Sequence, residues 1–509
     1  MERGVIDWAE FLACDRGLLI APAGHGKTTA IADCLNLCPD DSCQLVLTHT
    51  HAGIASLKKK FKEKKVPAHK YQLETITGFA QRYVLAFQGS SVLPKPEDKH
   101  YFNVAVAKCI EILSSPLIQC IISLSFGGLF VDEYQDCTIS QHNMIMSLAQ
   151  NLPLHILGDP LQGIFEFEEE RLVDFKNDLS WLFGFKVFHL LNYPWRWHNT
   201  NEPLGREILS IRNLLESNNS IILKQMSEIG LYLERWSNSN DYYSLEYIKW
   251  LSFIIRKYES HNTLIICPTY YGNNSKGIKT PKGDLKDRIK IKYQFDFNNS
   301  YLLLDAIDGR TYYSVSRNID TYITRCIKGS RIDPIKHFHD LLESLYVSKT
   351  FLNKWISSTK KGWKFKDKQD GEDKRISYIF EKSFNLFIET PSLKSLLAVL
   401  DTVKSISGYS NHRPDFWYEI IRCLKNAIAE DISLYQSMDR HRSRIRHMGR
   451  KIEGKCIGTT LLTKGLEFDT VIILYPEKFE DKKNFYVAIS RACKTLVCIT
   501  STNEIIFDK

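Results

Sequence analysis

Residues 17–28 read GLLIAPAGHGKT. Gly17 to Ile20 form a short apolar run, small residues follow, and a helical pattern opens at Lys27. That order predicts a strand, a loop and a helix. The loop has the composition of a phosphate cradle. Small residues let backbone N–H groups wrap an anion, a lysine reaches the outer phosphates, and a threonine hydroxyl ligates Mg2+. The helix N-terminus behind it adds a favourable dipole. Ala21, Pro22, Ala23, Gly24, His25, Gly26, Lys27, Thr28 and Thr29 are therefore the expected nucleotide-binding segment. Ala21 stands where the strict pattern has glycine. A chance Gly-rich turn is the alternative, and the flanking strand and helix argue against it.

Working outward, apolar runs at Gln44–Thr48, Gly128–Val131, Leu154–Leu157 and Val187–Leu191 alternate with helix-length segments. Such alternation predicts a parallel sheet with helices on both faces. A second set of runs occurs at Thr263–Cys267, Lys455–Thr459, Val471–Leu474 and Leu496–Thr500. Between the first of these and the rest lies a stretch of different character, about 275–450. It carries charge runs, aromatics and helical spacing such as SLKSLLAVLDTVKSI. The expected fold class is α/β, with two parallel-sheet phosphate-loop lobes and a mostly helical inserted domain. No internal repeat is visible.

Composition bounds the function classes. The chain has 509 residues, a net charge of +8 and 44% apolar residues, which excludes a mostly disordered or fibrous protein. The mild positive charge permits a polyanionic partner without requiring one. Thirteen cysteines are scattered without a CxxC pair, which reads as reduced thiols in a cytoplasmic protein. The N-terminus MERGVIDWAEFL has no signal-peptide core. The most apolar stretch, 109–131, is broken by Glu111, Pro116 and Gln119, so no membrane span is expected.

Residues 129–136 read LFVDEYQD. Carboxylates at the end of a buried strand are costly unless they serve a cation or a reaction. Asp132 is the expected Mg2+ ligand, and Glu133 the group that orients and deprotonates an attacking water. A helix N-terminus with favourable acids is the alternative, and it competes poorly downstream of a phosphate loop. The segment LGDPLQGIF, 157–165, places Gln162 in the loop after the next strand, where it could sense a γ-phosphate. Phe165 and Phe167 are aromatics able to stack on bases, although core packing is the better reading of Phe167.

In order along the chain, these segments resemble the UvrD/Rep branch of the superfamily 1 helicases. APAGHGKT (21–28) resembles the family's phosphate loop. LTHTHAG (47–53) and ETITGF (74–79) resemble its strand-binding motifs. VDEYQD is similar to its acidic box and GDPLQGIF to the motif after it. LNYPWRW (191–197) resembles the motif carrying one arginine finger. TTLLTKGLEFD (459–469) and FYVAISRA (485–492) resemble the last two motifs.

The resemblance implies two RecA-like lobes. The first spans 1–190, with a small helical insertion at about 80–120. The second is split into 191–274 and 451–509 around a helical insertion at 275–450. It implies ATP and Mg2+ as cofactors. Lys27 and Thr28 would hold phosphate and metal, and Gln162 would sense the γ-phosphate. Arg196 and Arg491 would be the two arginine fingers. Trp195, or Tyr193, would stack on the base, and Gly465 and Glu467 would meet the γ-phosphate and ribose. Thr48, His49, Thr75 and Phe165 would contact a single strand.

The chain departs from the family pattern in places. No glutamine lies within residues 1–26 to read adenine, and Thr77 and Leu461 stand where the family has histidines. The segment between ETITGF and VDEYQD is short, so the first-lobe insertion is much reduced.

Three basic clusters, Lys58–Lys65, Lys360–Lys368 and Arg440–Lys451, are candidate nucleic-acid surfaces. The first reads better as a solvated helix face. Pro414, Asp415 and Glu419 resemble part of a nuclease site, but the spacing is too tight and Ile421 stands where a lysine is needed.

The implied function is an ATP-dependent translocase and helicase on single-stranded or tailed duplex DNA, 3′ to 5′, in repair, recombination or anti-phage defence. The alternative is a nucleotide- or DNA-end-responsive ATPase that regulates a partner nuclease and unwinds little. Compact UvrD-like proteins occur beside nucleases in anti-phage systems such as Gabija. A small-molecule kinase would leave the two arginine motifs and the second lobe unexplained.

Overall fold

The computed structural model describes residues 6–505 apart from 96–97, 99, 165–169, 176–183, 191–192, 218–219, 237–243, 268–269, 274–278, 283–287, 289–291, 293–300, 305–309, 330–332, 361, 370, 449–451, 453, 480 and 503. The chain divides into two compact units, one formed by Met1–Leu304 with Met448–Lys509 and the other by Asp305–His447.

The larger unit contains two six-stranded sheets. The first comprises β1 (Arg16–Ile20), β2 (Gln44–Thr48), β3 (Tyr71–Thr75), β4 (Gly128–Val131), β5 (Leu154–Gly158) and β6 (Lys186–His189). They lie in the order β3-β2-β4-β5-β1-β6, every pair parallel. The second comprises β7 (Leu231–Arg235), β8 (Thr263–Ile266), β9 (Leu302–Leu303), β10 (Cys456–Gly458), β11 (Phe468–Leu474) and β12 (Ala492–Thr500). Their order is β9-β10-β8-β11-β12-β7, again all parallel. This is the two-lobe α/β architecture that the alternating strand and helix pattern predicts.

Successive strand residues point to opposite faces, and both faces are covered by helices. In the first sheet Leu18, Leu45, Leu47, Leu129 and Ile156 enter one core, while Leu19, Val46, Phe130 and Leu157 enter the other. In the second, Leu264, Ile266, Val471 and Ile473 face one core, and Ile265, Ile472, Leu474 and Val497 the other. Each such side chain contributes about 1.5–3 kcal/mol on burial. The central strands therefore read as continuous apolar runs.

The strands that escaped sequence reading sit at sheet edges. β3 and β7 are the polar-rich segments YQLET and LYLER; β3 is half-buried for most of its length, and β7 alternates buried with half-buried residues and ends exposed. Leu302–Leu303 pairs with β10, so the second sheet reaches past residue 275 and the helical unit starts after Leu304. The expected run Val187–Leu191 is observed as Lys186–His189, and Leu191 lies outside the described residues.

Between β3 and β4 the helices Ile76–Phe87, Tyr101–Leu113 and Pro116–Ser125 pack on the first sheet. The last two meet at 95°, and among the described residues no single helix is long and apolar enough to cross a membrane. None of the thirteen cysteines forms a disulfide among the described residues.

Among its described residues the smaller unit is mainly helical, with one hairpin, Ile356–Thr359 with Gly362–Phe365. Its core includes Phe338, Trp355, Phe380, Phe384, Phe416 and Trp417. The acids that resembled a nuclease site are spent on structure. Asp415 pairs with buried Arg413 at 2.8 Å, and Glu419 pairs with His441 at 2.8 Å and lies 3.0 Å from the Arg442 guanidinium. Arg442 is itself buried over the ring of Tyr312, so the Arg440–Lys451 cluster is not uniformly a surface patch.

Candidate active site

β1 delivers the chain into the loop Ala21–Gly26, and the helix Lys27–Leu37 follows. Gly24 and Gly26 have φ of +72° and +100°, a region that glycine enters without strain. A Cβ on Gly24 would lie 2.6 Å from the Trp197 ring and 2.8 Å from Arg196 Cβ. The loop is thus fitted against residues carried by the second lobe. Lys27 is buried, and its ammonium donates to the carbonyls of Ala21 (2.8 Å) and Pro22 (3.3 Å). His25 Nδ1 lies 2.9 Å from the Ala23 carbonyl, and burial pushes the imidazole down to about 4, so it is neutral at physiological pH. Its buried Nε2 has no hydrogen-bond partner among the described residues.

β4 is buried along its whole length and ends at Asp132 and Glu133. Glu133 holds φ of +57°, a costly conformation for a residue with a side chain. Asp132 Oδ1 accepts from the Glu133 amide at 3.0 Å. Burial, reinforced by the neighbouring Glu133 charge, raises Asp132 above the usual carboxylate range. Burial also opposes ionisation of Glu133, but Lys27 and Lys464 outweigh it and hold the group below that range. The raised Asp132 is the acid that a neighbouring cation would return to its ionised form, whereas Glu133 is already held ionised as a hydrogen-bond acceptor.

The second lobe closes the cleft. A single turn, Trp195–Trp197, lies on the phosphate loop, with the Arg196 amide donating to the Gly24 carbonyl at 2.9 Å. Trp197 is buried and anchors the turn through Nε1 to the Ala492 carbonyl at 2.7 Å. Arg196 Nε donates to Glu467 at 3.0 Å, and its Nη1 donates to the Ser490 carbonyl. Arg491 is buried and donates to the carbonyls of Val487 (2.9 Å) and Leu466 (3.2 Å) and to Ser490 Oγ (2.8 Å). Burial and the nearby Arg196 lower it to about 10, which leaves it charged at neutral pH. Trp195 is 46% exposed and sits edge-on to Tyr193 at 4.8 Å between ring centres. The Tyr193 hydroxyl donates to Glu202 at 2.7 Å.

These groups surround one cavity of about 310 Å³. Ala23, Gly24, Gly26, Lys27, Thr28, Thr29, Asp132, Glu133, Gln162, Trp195, Arg196, Gly465, Glu467 and Arg491 all line it. The cavity can accept a polyanion against Lys27 and the loop, a cation beside Asp132, and two guanidinium groups from the opposite wall.

The residues expected to touch a single strand are placed differently. His49 lines the same cavity, and its Nε2 lies 3.3 Å from buried Cys137 Sγ. Thr48 is fully buried with its hydroxyl against Gly53, and the Thr75 hydroxyl caps a helix by accepting from the Gly78 amide at 3.0 Å. Both hydroxyls are therefore turned inward in this structure. The short polar side chain that suits a phosphate also suits a helix N-cap. Phe165 and Phe167 lie outside the described residues.

Lys464 lines the cavity, and Tyr486 and Arg212 lie behind its wall; none of the three is assigned from sequence. Lys464, inside TTLLTKGLEFD, crosses from the second lobe to pair with buried Asp136 and the Gln162 carbonyl. Tyr486, inside FYVAISRA, accepts from the Ala23 amide at 2.9 Å. Both lie in quoted motifs, so position could have flagged them. Arg212 lies between motifs and carries no such signal.

Residues 57–178 match the family model of the UvrD/REP helicase N-terminal domain. A 108-residue stretch, 21% of the chain, is 32% identical to an ATP-dependent helicase/nuclease subunit from Alkaliphilus metalliredigens and covers 8% of that protein. The protein of the same name from Alkaliphilus oremlandii is 29% identical over 108 residues, again 8% of its length. A 138-residue stretch, 26% of the chain, is 28% identical to the Gabija protein GajB of Bacillus cereus and covers 25% of it. The chain thus spans a quarter or less of the length of these relatives.

Proposed function

We infer that this chain, a UvrD-like member of superfamily 1, is an ATP-driven motor on single-stranded DNA that moves 3′ to 5′ and opens tailed duplexes. The observation that carries the reading is the single cavity. It joins a glycine-cradled lysine and an acid pair of one lobe to two arginines of the other. The residues fit a magnesium nucleotide. The loop has no room for a Cβ at Gly24, among the described residues the Lys27 ammonium hydrogen-bonds only to loop carbonyls, and Asp132 is a buried acid in want of a cation. Thr28 and Asp132 would hold Mg2+, which would supply neutralisation of charge on the phosphates.

The chain's own groups do the rest. Lys27 and the loop amides orient the polyphosphate. Glu133 takes a proton from the attacking water. Arg196 and Arg491 stabilise transition-state charge from the second lobe, so hydrolysis requires the lobes to be together. Trp195 offers a ring face to the base, while Gly465 and Glu467 border the same site. Release of the products lets the lobes part, and the cycle of closing and opening steps the chain along a strand. Opening a base pair costs about 1.4 kcal/mol in stacking, well within reach of phosphoryl transfer.

A second reading is favoured by the printed names of two relatives, one a helicase/nuclease and the other a Gabija protein. The same ATPase would then serve a separately encoded nuclease in anti-phage defence, since Asp415 and Glu419 are spent in ion pairs. Steady-state ATP hydrolysis with and without single-stranded DNA, alongside unwinding of duplexes with 3′ or 5′ tails, separates the two. Stimulated turnover with opening from the 3′ tail supports the motor. Turnover indifferent to single strands supports the regulatory role.

A further inference from the structure

The carboxylate of Asp159, just past β5, is 0% exposed. Its Oδ1 accepts from Arg212 Nη2 at 2.9 Å and from the Leu161 amide at 3.2 Å. Its Oδ2 accepts from Gln162 Nε2 at 3.1 Å. Arg212 comes from the other lobe. It sits on the helix Glu202–Glu216, which packs on the second sheet through Leu204, Ile208 and Leu215. Arg212 is 3% exposed, and its Nη1 donates to Glu216 at 3.0 Å. The ring of Tyr486 lies 5.9 Å from the same guanidinium, and its hydroxyl accepts from the Ala23 amide of the phosphate loop. Two second-lobe side chains thus end on first-lobe groups that border the phosphate site.

The chemistry of the contact fixes an orientation. A carboxylate paired with a guanidinium is an acceptor and has no proton to give. Gln162 can satisfy it only through its NH2 end, which leaves the amide carbonyl as the other end of a side chain that lines the cavity. A carbonyl accepts from water and repels a phosphate oxygen. We propose that Asp159 and Arg212 form a positioning pair through which the second lobe sets the Gln162 amide, carbonyl toward the cavity, to receive a hydrogen bond from the attacking water. Arg212 touches no reacting atom and acts through Asp159. The proposal rests on the reading of the cavity as an ATPase site.

The test is steady-state ATP hydrolysis by the full chain as wild type, Arg212→Lys, Arg212→Met, Asp159→Asn and the double variant Asp159→Asn/Arg212→Met. The neutral amide that replaces the carboxylate in Asp159→Asn can itself donate, so Gln162 loses its fixed orientation. Arg212→Met and Asp159→Asn are expected to lower kcat about tenfold or more with KM within about threefold of wild type. Arg212→Lys keeps the charge and should recover most of kcat. The double variant holds no unpaired buried charge, so it folds even if Arg212→Met does not. Its kcat should remain as low as in either single variant, because the pair acts as one unit. A purely structural role predicts the opposite, with the double variant regaining activity. Wild-type kcat in the folded double variant, or a loss in KM alone, overturns the pair. A wild type without turnover overturns the ATPase reading itself, and this proposal with it.

Discussion

Replacing Lys464 with methionine removes the cation that the second lobe sends into the first. Lys464 and Asp136 are 3% and 0% exposed at the side chain, so their contact is dry. Burial pushes Asp136 up from 3.8 to about 6 even though Lys464 pulls the other way. Without the lysine the carboxyl titrates higher still and stays protonated through neutral pH. The sign follows from linkage. A folded-state value raised above the unfolded one means stability is lost as pH rises, by about 1.4 kcal/mol per pH unit, until the folded value is passed. In the wild type that loss stops at about pH 6. In the variant it continues. Apart from a constant packing offset, the two stability curves should run together below about pH 6. They should separate by about 1.4 kcal/mol at pH 7 and about 2.7 kcal/mol at pH 8, for a variant carboxyl titrating above that range. Urea denaturation of nucleotide-free protein at about pH 5.5, 7 and 8 reads the gap. Adding Asp136→Asn to the variant should remove the pH dependence that it shows in excess of wild type. A gap of the same size at all three pH values would mean that Lys464 does not hold Asp136 ionised.

Other perturbations probe the cavity from different sides. Gly24→Ala places a Cβ at φ +72° and 2.6 Å from the Trp197 ring. Left-handed alanine costs about 1–2 kcal/mol and the ring must move as well, so calorimetric titration should show an ATP analogue bound about tenfold more weakly or worse. Arg491→Ala removes a buried guanidinium from the wall opposite Glu133 and should lower kcat by about a thousandfold with little change in KM. Arg196→Ala also frees Glu467 from its 3.0 Å contact, so it should raise KM in addition to lowering kcat.

The sequence displayed the parts of the fold that are buried on both sides. β2, β4, β5 and β11 are continuous apolar runs and were legible at once, as was the phosphate loop behind β1. The edge strands β3 and β7 carry Gln72, Glu74, Glu234 and Arg235, so their half-exposed pattern merged with the loops. The cavity was legible where chemistry demands a rare combination, as at Lys27 with Thr28 or Asp132 with Glu133. It was not legible where the contact depends on two elements meeting. Asp159 and Arg212 are an ordinary acid and an ordinary helix arginine until the second sheet carries one against the other. Thr48 and Thr75 show the reverse case, because the hydroxyl that suits a phosphate is turned inward here.

Everything proposed for the cavity turns on Glu133 and its neighbours hydrolysing ATP between the two lobes. Steady-state ATP hydrolysis by wild type and Glu133→Gln, with and without single-stranded DNA and paired with nucleotide binding by calorimetry, measures this outright. Turnover in the wild type should rise with DNA. Glu133→Gln should lose about a hundredfold or more of it and keep its nucleotide affinity. Wild-type turnover in Glu133→Gln would contradict the assignment.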